Sequence, residues 1–305
     1  MRQDGTCDWL SRHSAYSEWQ NGNADSSIFW LHSPPGFGKT ILCSHAIQLI
    51  KDSDPDVAVV YHFYREEHHT ACETLRIISG QLFECYVKQS PQIDEELYLK
   101  TQRRACSLEN IQELITTLVK YLPKTYLFID GLDQEVSPER WTEASTVVDF
   151  LLQLSKGSPA TVRIWYSSQS SLRIREKLEG FITVDVKNKL EVKADVMLYV
   201  SLAMFKTHPE LEELGSEKDK LLKDLQDRAE GNFLIASLMI KVLQEDTDSL
   251  TDMQEFIERG DLPKTLDGYY RRIFERIASP QRRLAWSVCL LHMKDHPCSL
   301  FFWLP

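Results

Sequence analysis

With 305 residues, 43% of them hydrophobic and 26% charged, the chain is long enough to bury a large core and form two or three subdomains. Its formal net charge of -10 argues against a nucleic-acid partner, which calls for a basic face. No apolar run approaches the roughly eighteen residues of a membrane span, and the first residues lack a signal-peptide core, so no membrane partner and a cytoplasmic location are expected. The seven cysteines, Cys7, Cys43, Cys72, Cys85, Cys106, Cys289 and Cys298, are odd in number and scattered, which fits reduced thiols. His68-His69-x-x-Cys72 has no second ligand pair at finger spacing, so no zinc site is expected.

Residues 1–27 read as a short opening amphipathic helix carrying Trp9, Leu10 and Trp19. The apolar run Ile28-Phe29-Trp30-Leu31 is a strand, and Leu42, Ala46, Leu49 and Ile50 continue as a helix. Between them lies Ser33-Pro34-Pro35-Gly36-Phe37-Gly38-Lys39-Thr40. Strand, glycine-rich turn and helix is the context that makes a Gly-Lys-Thr match a phosphate site rather than a chance surface loop. Gly36 and Gly38 let backbone N–H groups close around phosphate oxygens, and the helix starting near Lys39 aims its positive dipole end at them. Lys39 suits the β- and γ-phosphates and the Thr40 hydroxyl suits Mg²⁺. Ser33 stands where the full pattern has its first glycine, which narrows the dihedrals open to the turn. Trp9 and Trp19 then either cover a nucleotide base or pack against the sheet.

Val57 to Tyr64, rich in β-branched and aromatic residues, is a second strand. Helical periodicity follows at Leu75 to Val87 and at Leu108 to Leu122, with Ser107 as N-cap. Tyr126-Leu127-Phe128-Ile129 reads as a buried parallel strand ending in Asp130-Gly131-Leu132-Asp133. Ligands of open α/β sheets bind at such carboxyl ends. Asp130 is therefore the candidate Mg²⁺ carboxylate and Asp133 a candidate to orient an attacking water. A helix over Val147 to Leu154, a fourth strand at Thr161 to Tyr166 ending in Ser167-Ser168-Gln169, and a fifth at Phe181 to Val186 complete an α/β pattern of parallel strands with right-handed crossovers. From Ala194 onward the pattern is helical: Val196 to Phe205, Leu221 to Ala229, Phe233 to Leu243, Met253 to Ile257 and Tyr269 to Ile277. A further helix is expected behind Ser279-Pro280. Asn188-Lys189-Leu190-Glu191 reads as a charged loop leaving the sheet, and Arg271, Arg272, Arg276, Arg282 and Arg283 as a solvated face, with phosphate contact from a helical lid as the alternative.

Taken together these residues resemble the NACHT-type P-loop NTPases of the STAND class, especially the fungal branch and the nephrocystin-like N-terminal NTPase domain. The matches are Gly5-Thr6-Cys7-x-Trp9-Leu10, Trp30 through Thr40, Asp130-Gly131-Leu132-Asp133, Glu230-Gly231-Asn232-Phe233-Leu234-x-Ala236, and Leu262-Pro263-x-x-Leu266-x-x-Tyr269-x-Arg271. The resemblance implies a three-layer sandwich around a five-stranded parallel sheet of order 2-3-4-1-5, then a helical subdomain and a partial winged helix. It divides the chain into the opening helix (1–27), a P-loop core (28–190), the helical subdomain (191–278) and the start of the winged helix (279–305). It implies nucleotide contacts from Ser33, Pro34, Pro35, Gly36, Phe37, Gly38, Lys39, Thr40, Ile41 and Ser168, metal ligation by Thr40 and Asp130, and catalytic roles for Lys39, Asp133 and Glu135. The cofactors are then ATP or GTP with Mg²⁺. The implied activity is that of a switch that self-associates in its NTP state, with an effector before it, ligand-sensing repeats after it, and a role in signalling of the heterokaryon-incompatibility kind.

The sequence departs from that pattern at the site. Gln134 stands where the family has an acidic residue, with Glu135 displaced by one, and an amide takes no proton from water. Gln169 replaces a sensor arginine, removing positive charge near the γ-phosphate. Hydrolysis is therefore expected to be slow if it occurs, and a non-hydrolysing scaffold with a bound nucleotide competes with the switch. A P-loop kinase or motor ATPase stands behind both. No effector domain is expected ahead of the NTPase, and the given sequence closes on the apolar Ser299 to Pro305, where the family continues a polar amphipathic helix. A truncated gene model or a fragment is the expectation.

Overall fold

The computed structural model describes residues 2–22, 26–64, 69–90, 107–135, 137–157 and 161–276. The helix expected behind Pro280, the winged-helix start at 279–305, the apolar tail, His68, Cys106, Cys289 and Cys298 lie outside them. The chain forms two compact units, one of Asp8–Ser33 and Lys39–Asp185, the other of Met1–Cys7, Pro34–Gly38 and the chain from Val186 onward.

The first unit is built on five parallel strands: β1 (Ile28–His32), β2 (Ala58–Phe63), β3 (Lys124–Asp130), β4 (Thr161–Ser168) and β5 (Ile182–Asp185). Their order is β2-β3-β4-β1-β5, the order the resemblance implies, and the fold is that of a P-loop NTPase. Side chains alternate between the faces of a strand, and here both faces are covered. On one face Ile28, Trp30, Val60, Leu127, Ile129, Ile164 and Tyr166 pack with buried residues of α3 (Ala71–Gln89), α4 (Leu108–Tyr121) and α5 (Pro138–Gly157). On the other, Trp19 of α1 (Ser14–Asn21) meets Phe29, Tyr126, Phe128 and Trp165 with ring centroids 5.5 to 5.9 Å apart. The Trp19 indole N–H donates to the Ile164 carbonyl at 3.1 Å. Trp19 is thus a core residue, and losing such an indole costs about 3–5 kcal/mol. The α2 helix (Lys39–Ser53) buries Leu42, Cys43, Ala46, Ile47 and Ile50.

Most helices begin earlier than apolar periodicity indicates, and in α3 and α5 the reason is local. Thr70 and Glu73 form a capping box that starts α3 at Ala71 rather than Leu75, satisfying two backbone donors at once. Pro138 opens α5 nine residues before Val147. Its fixed φ suits a first helical position, where its missing N–H is not needed.

The second unit carries α7 (Leu190–Thr207), α8 (Ser216–Ala229), α9 (Phe233–Asp246), α10 (Leu250–Glu258) and α11 (Leu266–Arg276), numbered after α6 (Leu172–Leu178) of the sheet unit. Leu190 and Glu191, expected in a loop, already belong to α7, where Glu191 complements the helix dipole. Glu230 and Gly231 turn the chain between α8 and α9 with φ of 50° and 75°. The arginines of α11 are engaged within the unit: Arg271 pairs with Asp267, Arg272 with Asp246, and Arg276 with Glu245 and Asp246. Among the described residues no helix is long and apolar enough to cross a membrane.

Candidate functional site

The carboxyl ends of β1, β3 and β4 lie side by side in the sheet, so the residues that end these strands are neighbours. Register pairs Asp130 with Ser167 and His32 with Ser168. Asp130 is buried. The Thr40 hydroxyl donates to its Oδ2 at 2.7 Å, and the Ser167 hydroxyl donates to Oδ1. Burial raises the Asp130 carboxyl above the ordinary range; the bonds from Ser167 and Thr40 and the nearby Lys39 charge pull it down, while Asp133 pushes it up. The Lys39 ammonium, at the first residue of α2, donates to the Ser33 carbonyl at 2.9 Å. Ser33 is buried, and its N–H reaches the Ser168 carbonyl at 3.3 Å. Ser168 is buried too, its hydroxyl accepting from the Trp30 indole at 2.9 Å. Ile41 sits half-buried in the first turn of α2.

Behind Asp130 the chain turns at Gly131, whose φ of 78° lies in the left-handed region. A Cβ there would sit 2.7 Å from the Tyr64 carbonyl oxygen. This turn delivers Asp133, whose Oδ1 accepts from the Gln169 backbone N–H and whose Oδ2 accepts from the Gln169 side-chain amide, each at 2.9 Å. Gln134 lies in the same 3-10 turn, its N–H on the Gly131 carbonyl at 2.9 Å. Glu135 ends that turn, and its side chain is outside the described part of the molecule.

Between Ser33 and Lys39 the chain runs through Pro34–Gly38, the stretch that clusters with the helical unit. Gly36 and Gly38 take φ of 85° and 80°, which L side chains adopt only with strain. Phe37 is buried and Pro34 exposed.

The family described as Nephrocystin 3, N-terminal matches residues 5–169, more than half of the chain. This chain belongs to that family. It is also 23% identical over 295 residues to the vegetative incompatibility protein HET-E-1 of Podospora anserina, across 91% of this chain. The chain spans only 21% of that relative's length. Among solved structures, the ORC2 protein of Aeropyrum pernix aligns with 95% of this chain and 80% of its own at 14% identity and a TM-score of 0.48. The AAA domain of FIGL-1 in complex with ADP aligns with 88% of this chain and 78% of its own at 11% identity and a TM-score of 0.39. Likeness this distant carries no argument; the fold rests on the sheet's own topology.

The nephrocystin 3 N-terminal assignment and the strand-loop-helix with its facing carboxylate make the chain a nucleotide-binding P-loop NTPase of NACHT-like type. In this member, the Gly-Lys-Thr motif and the apolar β3 run point to Thr40 and Asp130 but not to Ser167 and Gln169, which also hold the acidic pair. Ser167 is recognisable only once β4 is known to lie beside β3. Gln169 reads in sequence as a lost arginine, whereas in the fold it binds Asp133 at both oxygens.

Proposed function

We propose that the chain binds ATP or GTP together with Mg²⁺ and uses the nucleotide as a regulatory switch, hydrolysing it slowly if at all. The observation that carries this reading is the 2.7 Å bond between Thr40 and Asp130, a hydroxyl from the phosphate loop meeting a carboxylate from β3. Two hard oxygens from separate elements suit Mg²⁺, which takes few protein ligands and fills its shell with water and phosphate oxygens. Thr40 and Asp130 would hold the ion, and a bound ion neutralises charge on the phosphates. Lys39 supplies a cation at the start of α2, whose free N–H groups and dipole favour anions.

Slow turnover follows from Asp133 and Gln169. Both Asp133 oxygens already accept hydrogen bonds from Gln169, which leaves fewer lone pairs to orient a water. The same observation favours a second reading, a scaffold whose nucleotide is retained and never hydrolysed. A kinase lid would draw on Arg173, Arg175, Arg271, Arg272 and Arg276, of which the last three are already paired with acids of their own unit. Within the switch reading, 191–278 acts as the helical subdomain and 279–305 begins a winged helix. Such a protein self-associates in its NTP state in the cytoplasm and signals in responses of the incompatibility type named for HET-E-1.

Mass spectrometry of the nucleotide co-purifying with the chain tests the reading and identifies the base. Lys39→Ala is expected to abolish binding, and unchanged affinity in that variant removes the site assignment. Single-turnover hydrolysis separates the alternatives: release faster than background supports the switch, and retention of intact triphosphate supports the scaffold.

A further inference from the structure

Asn232 stands at the N-cap of α9, and its side chain does two things. Its Oδ1 accepts from the Leu234 and Ile235 N–H groups at 2.9 and 3.2 Å, closing the helix end. Its Nδ2 donates to the Pro35 carbonyl at 3.0 Å. The next residue extends the attachment, since the Phe233 N–H donates to the Gly36 carbonyl at 2.9 Å. The approach is close enough to require glycine: a Cβ on Gly36 would lie 2.2 Å from Asn232 Oδ1 and 2.7 Å from Leu234 Cβ. Asn232 itself is buried.

We infer that Asn232 is a positioning residue for nucleotide binding, holding the phosphate loop in the conformation that presents its amides to the ligand. In a trans peptide the C=O and N–H point to opposite sides, and no peptide bond of the described chain is cis. Fixing the Pro35 carbonyl on Asn232 turns the Gly36 N–H away from α9, and fixing the Gly36 carbonyl on Phe233 does the same for the Phe37 N–H. Two consecutive amides of a glycine-rich turn are thereby pre-aimed, and a donor set that needs no reorganisation binds an anion more tightly. The inference rests on the nucleotide reading above and adds a residue that motif reasoning treats only as a family signature. Linkage then requires the reverse effect, with a bound nucleotide strengthening the attachment of the loop to α9.

Replacing Asn232 by Asp separates its two tasks. Asp caps a helix as well as Asn does, so α9 keeps its start, but the donor to Pro35 is gone. Asn232→Ser, also a good cap, repeats the test without adding charge. In the full 305-residue chain, nucleotide affinity is measured by fluorescence titration with a labelled ATP and a labelled GTP, beside wild type and Lys39→Ala. Both Asn232 variants are expected to melt near wild type without nucleotide yet bind about tenfold more weakly. In wild type the Phe233 amide is expected to exchange more slowly once nucleotide is added, and that slowing is expected to vanish in both variants. Wild-type affinity in either Asn232 variant, with Lys39→Ala defective, overturns the inference and leaves the nucleotide reading standing. Weakening by Asp but not by Ser is a charge effect and also overturns it. Failure of wild type to bind either nucleotide sinks the nucleotide reading, and the inference with it.

Discussion

Gln169 holds Asp133 by two hydrogen bonds, one from its backbone and one from its side chain, each 2.9 Å long. An arginine here would bring a charge that reaches toward a ligand. The amide instead spends its donor on a neighbour from the turn after β3. Shortening the side chain leaves the backbone bond to Oδ1 and releases Oδ2. Gln169→Ala is therefore expected to raise single-turnover phosphate release about fivefold, the effect of roughly 1 kcal/mol, with nucleotide affinity unchanged. Rapid-quench measurement at saturating protein checks this, and an unaltered rate favours the scaffold reading.

A pH effect is expected from His62, buried on β2 with no partner for its Nε2 among the described residues. Burial, with a smaller contribution from nearby His69, pushes its pKa down to about 4. Tyr64 packs edge-on against the same ring. Because the folded-state value is depressed, the unfolded chain takes up the proton first. The stability is present in full above the ordinary histidine value of 6.5 and is lost as pH falls toward about 4. The slope is at most about 1.4 kcal/mol per pH unit. His62→Phe keeps an aromatic ring in place and removes the titration, so its melting temperature is expected to fall less than that of wild type between about pH 7 and about pH 5.

Gly131 is expected to tolerate no side chain. Its φ of 78° strains any L residue, and the added Cβ would press on the Tyr64 carbonyl at 2.7 Å. That carbonyl belongs to backbone and cannot rotate aside. Gly131→Ala is expected to lower unfolding free energy by more than about 2 kcal/mol, read from urea denaturation. A loss within experimental error would mean that the turn relocates without cost.

How much of this was legible in the sequence depends on the range of the interaction. The β1 strand, the Gly36 and Gly38 turn and the Asp130 strand are local patterns of apolar runs, glycines and a terminal carboxylate, and they point to an α/β nucleotide fold unaided. The strand order is implied only by the family resemblance, because nothing in an isolated strand says which neighbour it pairs with. The helix start at Ala71 was hidden because Thr70 and Glu73 define it without an apolar residue. The partners of the acidic pair are hidden by distance along the chain, Ser167 lying 37 residues from Asp130 and Gln169 36 from Asp133, and the attachment of Asn232 to Pro35 spans 197. In each case the residue type suits several local roles, and only packing selects one.

The buried carboxylate of Asp130 sets stability against ligand binding. Burial raises its pKa first, and the hydroxyls of Ser167 and Thr40 offset that only in part. A charge kept in such a place, only partly offset by the hydroxyls and the nearby Lys39, disfavours the folded state. Asp130→Asn removes the charge, preserves the shape, and leaves two rotatable hydroxyls able to adjust their donor and acceptor roles. The nucleotide-free variant is therefore expected to melt at a higher temperature than wild type at neutral pH. Its Mg²⁺-dependent nucleotide affinity is expected to fall by about tenfold or more, since an amide oxygen is a poorer ligand for a hard cation. Differential scanning fluorimetry with and without nucleotide and Mg²⁺ reads both effects on one sample. The two changes have opposite sign, so a variant that loses stability and affinity together would mean that Asp130 serves the fold and not the ion.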